Sequence, residues 1–140
     1  MILLDAAPLV AFFTGAPGGS ETYSLITGKE PVAVTVVNLA EIFDVLERWY
    51  GVTEAEMRTT LDPLIGDPIG IVAPTPEAAR RAGALRARHY RKRTCELSLA
   101  DCFLLAAVGP GDRLATSDRA VLRVADVEGL DAVPIPDGRS

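Results

Sequence analysis

Short apolar segments rich in β-branched residues alternate along this chain with longer segments of helical periodicity. Parallel strands need long crossover connections, and a parallel sheet needs helices over both of its faces. The alternation therefore predicts an α/β fold whose parallel sheet is covered on both sides. The predicted strands are residues 1–4, 32–36, 69–73, 113–116 and 132–135.

The helical segments carry the residues that usually begin and end helices. Apolar residues recur at helical spacing over residues 38–50, and Gly51 ends that pattern. Thr53 and Glu56 have the spacing of a capping box, and Pro63 interrupts the helix that they open. The predicted helices are residues 6–13, 21–27, 38–50, 53–65, 75–90, 98–108 and 118–125.

The chain has 140 residues, of which 49% are hydrophobic, and that is enough for one domain with a substantial core. We expect a single domain over residues 1–136 and a frayed tail over 137–140. The longest apolar stretch, residues 97–108, is too short to span a bilayer, and no basic-then-apolar leader is present. We therefore expect a soluble, cytoplasmic protein without a membrane partner.

Cysteine and histidine are too few for several common kinds of site. Cys95 and Cys102 are the only thiols, and His89 is the only histidine. The chain has no CxxC pair, which argues against a structural zinc site and a disulfide framework. A lone histidine among arginines, without a nucleophile elbow, gives little support to Ser-His-Asp or Cys-His catalysis. We interpret both thiols as buried or chemically idle.

Basic residues are concentrated in one part of a chain whose formal net charge is -5. The acidic total argues against nonspecific coating of nucleic acid, yet seven of the fourteen Lys and Arg lie in residues 80–93, the cationic stretch. Arginine suits bidentate phosphate contacts. A solvated helix face, or a match to an acidic protein partner, explains the pattern equally well. The candidate phosphate-binding residues are Arg86, Arg88, Arg91, Lys92 and Arg93.

Four acidic residues lie at the starts of apolar segments or just before them, where an uncompensated charge is costly to desolvate. The ends of parallel strands open toward one crevice, and helix N-termini meet the same crevice. Grouped carboxylates repel one another unless cations screen them, and Mg²⁺ or Mn²⁺ prefers oxygen ligands and also binds phosphate. The pattern indicates a metal-dependent nuclease. Its predicted metal-binding and catalytic residues, the acidic site, are Asp5, Glu41, Asp101 and Asp118.

Helix capping is the alternative explanation for each acid. Asn38 and Glu41, like Ser98 and Asp101, are spaced as an N-cap and its third helical residue, and the other two acids could cap the helices that follow them. For any one acid, taken alone, capping is the preferred explanation. For the set it is weaker, because Asp101 has apolar neighbours on both sides and the capping positions are already filled by Ser98 and Asn38.

The acids recur within short motifs in a fixed order. An apolar strand ends in Asp, a helix carries Ala-Glu, an apolar helix carries Ala-Asp near its start, and Thr-x-Asp follows a late strand. This ordered set resembles the signature of the PIN-domain family, and the small size of the chain makes it most similar to VapC-type toxins of prokaryotic toxin–antitoxin pairs. The motifs are Leu4-Asp5, Ala40-Glu41, Ala100-Asp101 and Thr116-Ser117-Asp118.

The resemblance implies a PIN-like three-layer α/β/α sandwich with a central, mainly parallel, five-stranded sheet. It also implies an endoribonuclease that depends on Mg²⁺ or Mn²⁺, with one or two ions per site, and that acts as a toxin. Its expected partners are an RNA substrate, a second copy in a homodimer, and a cognate antitoxin whose tail occupies the active-site groove. The cationic stretch then becomes a candidate RNA-binding surface.

The roles of the acids are assigned as a hypothesis. Asp5 and Asp101 hold the main ion directly or through water, while Glu41 and Asp118 complete or orient that shell. Thr116 orients a carboxylate or a phosphate-bound water. Residues 119–121 lack the further acid that many relatives place after the fourth, which weakens the expectation of a firmly held second ion.

Two other functions fit parts of the pattern. A phosphotransferase with Asp5 as its nucleophile is one, but its usual second acid would fall at Ala7. A non-catalytic PIN-like binding module that clasps a basic segment in the acidic pocket is the other. A domain that had lost catalysis would be expected to lose some of the four acids, so the nuclease is the preferred interpretation.

Overall fold

Across residues 1–138, which the computed structural model describes, five parallel strands form one sheet in the order β3-β2-β1-β4-β5. This arrangement confirms the predicted α/β fold. Arg139 and Ser140, the last part of the predicted tail, lie outside the described residues. The strands are β1 (Ile2–Leu4), β2 (Val32–Thr35), β3 (Ile69–Val72), β4 (Arg113–Thr116) and β5 (Asp131–Pro134).

Helices cover both faces of the sheet, as a parallel sheet requires. Side chains alternate along β1, so Ile2 and Leu4 pack into a core against α1 to α4, whereas Leu3 packs into a second core against α5 to α7. The two cores give the three-layer sandwich. The helices of the described residues are α1 (Ala6–Thr14), α2 (Gly19–Ile26), α3 (Val36–Tyr50), α4 (Glu54–Thr60), α5 (Pro76–His89), α6 (Leu99–Ala107) and α7 (Arg119–Val127).

Most helix boundaries differ from the sequence predictions by one or more residues, and two of these differences have a clear physical cause. The third helix begins at Val36 rather than Asn38, because Thr35 Oγ1 accepts a hydrogen bond from the Asn38 backbone N–H and acts as the N-cap. The fourth helix ends at Thr60, and Asp62–Leu64 forms a separate 3₁₀ turn. Pro63 favours that break, because it has no N–H and disfavours helix at the preceding residue.

The loop between α1 and α2 needs glycine where it meets the C-terminal segment. Gly18 has a φ of 95°, and a Cβ atom there would lie 2.3 Å from the carbonyl oxygen of Pro136. An L side chain would meet both backbone strain and a clash. Within residues 1–138, no helix combines the length and the apolar character that crossing a membrane requires.

Candidate active site

The predicted site residues gather at the carboxyl edge of the sheet. Asp5 directly follows β1, Thr35 ends β2 and Thr116 ends β4. The strand order reverses between β1 and β4, and ligands of open α/β sheets bind in the crevice at such a switch point. The topology therefore brings together residues that are more than a hundred positions apart in sequence.

Asp5 is the most buried of the four acids, with 4% of its surface exposed. Its Oδ1 accepts hydrogen bonds from the Ala6 backbone N–H at 2.7 Å and from Asn38 Nδ2 at 3.3 Å. Its Oδ2 accepts from Thr116 Oγ1 at 2.7 Å. The pKa of Asp5 is raised to about 7, mainly by burial; the charges of Asp101 and Glu41 add to that effect, and the hydrogen bonds from Thr116 and Ala6 oppose it.

Glu41 is not a capping residue, which corrects one of the alternatives drawn from the sequence. It lies in the second turn of α3, since Thr35 rather than Asn38 is the N-cap. Its Oε2 accepts a hydrogen bond from Asn38 Nδ2 at 3.4 Å. Burial raises the pKa of Glu41, and the charges of Asp101 and Asp118 add to that effect. Its carboxylate therefore faces the other acids.

Asp101 does cap α6, as the capping alternative predicted. Its Oδ2 accepts from the Ser98 backbone N–H at 2.8 Å, and Ser98 Oγ accepts from the Asp101 backbone N–H at 3.0 Å. This capping box occupies one carboxylate oxygen and leaves Oδ1 without a hydrogen bond among the described residues. Burial raises the pKa of Asp101, and the charge of Asp118 contributes. Capping and membership of the acidic site are thus compatible.

Asp118 is the N-cap of α7 and is linked to Asp5 through Thr116. Thr116 Oγ1 accepts a hydrogen bond from the Asp118 backbone N–H at 3.0 Å and donates one to Asp5. One fully buried hydroxyl therefore helps to fix the positions of both acids. Asp118 Oδ1 accepts from the backbone N–H groups of Ala120 and Val121. The contacts of Thr116 therefore suit the carboxylate-orienting role suggested for it.

The arrangement suits an ion that keeps much of its water. Within residues 1–138, no three Asp, Glu, His or Cys side chains converge closely enough to enclose a metal ion. Mg²⁺ is commonly held by one or two carboxylates, with waters and substrate phosphate filling the other positions. An acidic site of oxygen donors, with unused carboxylate oxygens and, among the described residues, no cationic side chain hydrogen-bonded to it, fits that mode of binding.

The cysteines take no part in this chemistry. Cys102 follows Asp101 in α6 and is fully buried, and burial raises the pKa of its thiol to about 11. Cys95 is buried in the same core. A protonated, buried thiol is a poor nucleophile and a poor metal ligand, as the sequence interpretation expected.

A groove of about 640 Å³ opens beside two of the acids. Glu41, Asp118 and the exposed Arg119 line its polar part. The rest of its wall comes mainly from α1, α3 and the C-terminal segment, so an occupant would meet charged and apolar surface together. The apolar lining residues include Pro8, Val10, Ala11, Val45, Tyr50 and Ile135.

The cationic stretch begins on α5 and continues into the loop before α6. Arg86 Nε donates to the Leu97 carbonyl at 3.0 Å, and its guanidinium lies over the Tyr90 ring at 4.4 Å. Arg88 pairs with Glu128, which also contacts His89. The Arg86 contact places the end of α5 next to the residues that lead into α6. The stretch therefore lies on the same helix hairpin as Asp101.

The three arginine-lysine positions of the loop are all exposed, whereas Arg86 on the helix is half-buried. Arg91 Nη1 donates to the Tyr90 carbonyl at 2.6 Å. Lys92 and Arg93 are exposed and have no ion pair among the described residues. Of the five candidate phosphate-binding residues, these two have charges that the fold leaves available.

Sequence reasoning missed Thr35 and assigned Asn38 the wrong role. Asn38 is fully buried, and it contacts two of the four acids rather than capping a helix. The spacing of Thr35 and Asn38, which is that of an N-cap and its third residue, was the available signal.

Comparisons with known proteins agree with this geometry. The PIN domain family model matches residues 2–127. A search of curated protein sequences gives no significant match. Among solved structures, the Mycobacterium tuberculosis toxin VapC20 superposes with a TM-score of 0.72 at 19% identity, covering 97% of this chain and 100% of that chain.

Two complexes show the same fold at similar distance. A toxin–antitoxin complex from Klebsiella pneumoniae has a TM-score of 0.66 at 20% identity, with 95% of this chain and 96% of that chain covered. VapBC2 from Rickettsia felis has a TM-score of 0.66 at 15% identity, with 97% and 100% covered. At these identities the structures show a shared fold, while the family model extends over nearly the whole sequence. The chain belongs to the PIN-domain family.

Proposed function

We propose that this protein is a metal-dependent endoribonuclease that acts as the toxin of a toxin–antitoxin pair. The observation that carries the proposal is the surroundings of Asp5, a buried carboxylate whose hydrogen-bond partners within residues 1–138 are all neutral and whose charged neighbours there are acids. Such a group is costly to ionise unless a cation joins it. A divalent ion is the ligand that best matches this surplus of negative charge, and such an ion also binds the phosphodiester of a nucleic acid.

The acids have distinct roles in the proposed reaction. Asp5 and Asp101 hold Mg²⁺ or Mn²⁺, directly or through water, and Glu41 and Asp118 complete or orient that shell. When bound, the ion supplies charge stabilisation for the phosphate and water of lowered pKa. Thr116 keeps the carboxylate of Asp5 and the start of α7 in fixed relative positions. The donor set supports one ion per site, and a second is held less firmly because residues 119–121 supply no further acid.

RNA is the proposed substrate, and the loop of the cationic stretch is its proposed contact surface. Arg86 and Arg88 have partners inside the fold, so their guanidinium groups are partly engaged in a hydrogen bond and an ion pair, respectively. Lys92 and Arg93 are exposed, and Arg91 shares the same loop. We assign the phosphate contacts to these loop residues and a mainly structural role to the two helix residues. Arginine and lysine near a metal site bind the phosphates that flank the cleaved bond.

The groove beside Glu41 and Asp118 is the proposed site for the tail of a cognate antitoxin. The structural neighbours include a toxin–antitoxin complex from Klebsiella pneumoniae and a VapBC complex of Rickettsia felis bound to promoter DNA. A tail with a basic residue between apolar residues would match the mixed lining of the groove. We also propose a homodimer and a cytoplasmic location, both of which follow from the toxin role rather than from the site.

The test of the nuclease is cleavage of total RNA by the purified chain in Mn²⁺. Asp5→Asn and Asp101→Asn should each reduce the rate by more than about 100-fold, since even outer-shell partners of metal ligands contribute about 10–100-fold. Asp126→Asn, which changes an exposed acid at the other end of α7, is the matched control and should cleave normally. A well-folded wild type that cleaves no RNA would leave the binding module as the better account.

The toxin role has a separate test. Expression of the wild type should arrest growth, and co-expression of a small DNA-binding protein encoded immediately upstream should restore it. Wild-type expression without any effect on growth, alongside RNA cleavage in the purified protein, would keep the nuclease and remove the toxin role.

A further inference from the structure

Asn38 is a fully buried amide that lies between two elements of the acidic site. Its Nδ2 carries two hydrogens, and it donates to Asp5 Oδ1 at 3.3 Å and to Glu41 Oε2 at 3.4 Å. Asp5 follows β1, whereas Glu41 belongs to α3. One neutral group therefore joins two like-charged side chains that would otherwise repel each other.

The orientation of this amide follows from the contacts of Thr35. Thr35 Oγ1 accepts from the Asn38 backbone N–H at 3.0 Å, and its own hydrogen goes to Asn38 Oδ1 at 2.9 Å. A reversed amide would turn its carbonyl oxygen toward two carboxylates and leave the hydroxyl hydrogen of Thr35 without its acceptor. Thr35 thus keeps both N–H bonds of the amide directed at the acids.

Capping does not account for the side chain of Asn38. The cap of α3 is the bond from the Asn38 backbone N–H to Thr35, which any residue other than proline would supply. Burying a polar side chain costs free energy unless its hydrogen bonds are made. The bonds that it makes are to two acids of the site and to the residue that orients it.

We propose that Asn38 is a positioning residue that holds Asp5 and Glu41 together for a divalent ion, with Thr35 setting the direction of its amide. Because the amide is neutral, it brings the two carboxylates together without cancelling their charge. A lysine or arginine in the same place would neutralise the site and compete with the ion. The inference rests on the proposed metal-dependent activity and deepens it.

The test is Mn²⁺ binding, measured by calorimetry on the full chain at a temperature where every variant is folded. Asn38→Leu keeps a similar volume and removes both donors, so the Kd for Mn²⁺ should rise about 10–100-fold, the range for outer-shell partners. In a Glu41→Gln background the same change should have a smaller effect, because one of the two acids has already lost its charge.

A second pair of variants keeps the inference falsifiable if Asn38→Leu does not fold. Thr35→Val frees the amide and should also weaken Mn²⁺ binding, whereas Thr35→Ser retains the hydroxyl and should bind like the wild type. Thr22→Val is the matched control, since Thr22 is also a buried threonine, and its hydroxyl donates to the carbonyl of Gly18, the residue just before α2. It should lower the melting temperature without changing the Kd.

The outcomes separate the two proposals. Wild-type affinity in both Asn38→Leu and Thr35→Val, with only lower melting temperatures, would overturn the positioning role and leave the nuclease intact. A wild type that binds no Mn²⁺ would overturn both. Weaker binding in these variants, with normal binding in Thr35→Ser and Thr22→Val, is the result expected.

Discussion

The acidic site and the cationic stretch differ in whether their charged groups have partners of opposite charge. In the part of the chain that the structure describes, the buried carboxylate of Asp5 accepts hydrogen bonds only from neutral donors, and its charged neighbours carry the same sign. In the cationic stretch, Arg88 and His89 share the carboxylate of Glu128, and Arg86 contacts a carbonyl and an aromatic ring. Among the described residues, the first region offers its buried carboxylate no opposite charge, whereas the second pairs Arg88 with the carboxylate of Glu128.

The difference indicates where the molecule depends on something outside itself. Charges that are paired within a fold contribute to its stability and need no ligand. Like charges held together by neutral donors destabilise the isolated chain, and a bound cation removes that cost. On this view the acidic site is arranged for a ligand, while Arg86 and Arg88 hold the end of α5 against its neighbours.

The largest expected effect comes from Asp5→Asn in metal-free buffer. Because the native pKa of Asp5 is about 7 against an ordinary 3.8, the native state keeps the proton that the unfolded chain releases. Stability should therefore fall as pH rises from about 4 to 7, and the loss is complete above that range. At pH 8 the variant should be more stable than the wild type, by at most about 4 kcal/mol.

Denaturant unfolding at pH 4 and pH 8 in a chelator checks this prediction. The advantage of Asp5→Asn should shrink to less than about 1 kcal/mol at pH 4, where the native carboxyl is protonated and the unfolded one is about half protonated. A variant that is less stable than the wild type at pH 8 would mean that the charge of Asp5 is compensated in a way that the structure does not show.

A smaller effect is expected from Thr116→Val, which removes the hydroxyl between Asp5 and Asp118. The Kd for Mn²⁺ should rise about 10–100-fold, while Thr116→Ser should bind like the wild type. Equal affinity in all three proteins would show that Thr116 serves the fold and does not orient the acids.

The cationic stretch can be divided by the salt dependence of RNA affinity. Replacing Lys92 and Arg93 together by Ser should flatten the slope of log K against log salt by about 1.4, since each lost contact to single-stranded RNA removes about 0.7. Arg88→Ala should leave that slope almost unchanged, because its guanidinium is paired with Glu128. If Arg88→Ala flattens the slope and the double variant does not, the RNA contacts lie on the helix, and their assignment to the loop is wrong.

The smallest expected effect belongs to Glu128→Gln, and its sign is opposite to that of Asp5→Asn. The contacts of His89 and Arg88 lower the pKa of Glu128, so its contribution is present at neutral pH and is lost as pH falls through that lowered value. Solvent screens much of this pair, because Arg88 is 58% exposed. Chemical denaturation at pH 7 should show a loss of about 1 kcal/mol or less.

Much of the fold could be predicted from sequence, and so could the position of the four acids at one edge of the sheet. The alternation of short β-branched segments with segments of helical periodicity predicted the parallel class, and capping residues placed most helix ends within a few positions. The start of α3 was wrong because Thr35 and Asn38 both suit an N-cap, and only the strand end of β2 decides between them.

The supporting contacts could not be predicted in the same way. The bonds from Asn38 to Asp5 and from Thr116 to Asp5 join residues 33 and 111 positions apart. Periodicity reports which face a residue occupies within its own element, but it contains no information about which side chain lies opposite. The pairing of Arg88 with Glu128, which reduces the charge available for RNA, was hidden for the same reason.

The central claim is that the acidic site binds a divalent ion. Titration of the purified chain with Mn²⁺ at pH 7.5 tests that claim directly. The wild type should bind saturably with one or two ions per chain, and it should melt at a higher temperature when the ion is present. Asp5→Asn and Asp101→Asn should lose most of that affinity while remaining folded. A folded wild type with no saturable binding, or an Asp5→Asn variant that binds as tightly, would contradict the account.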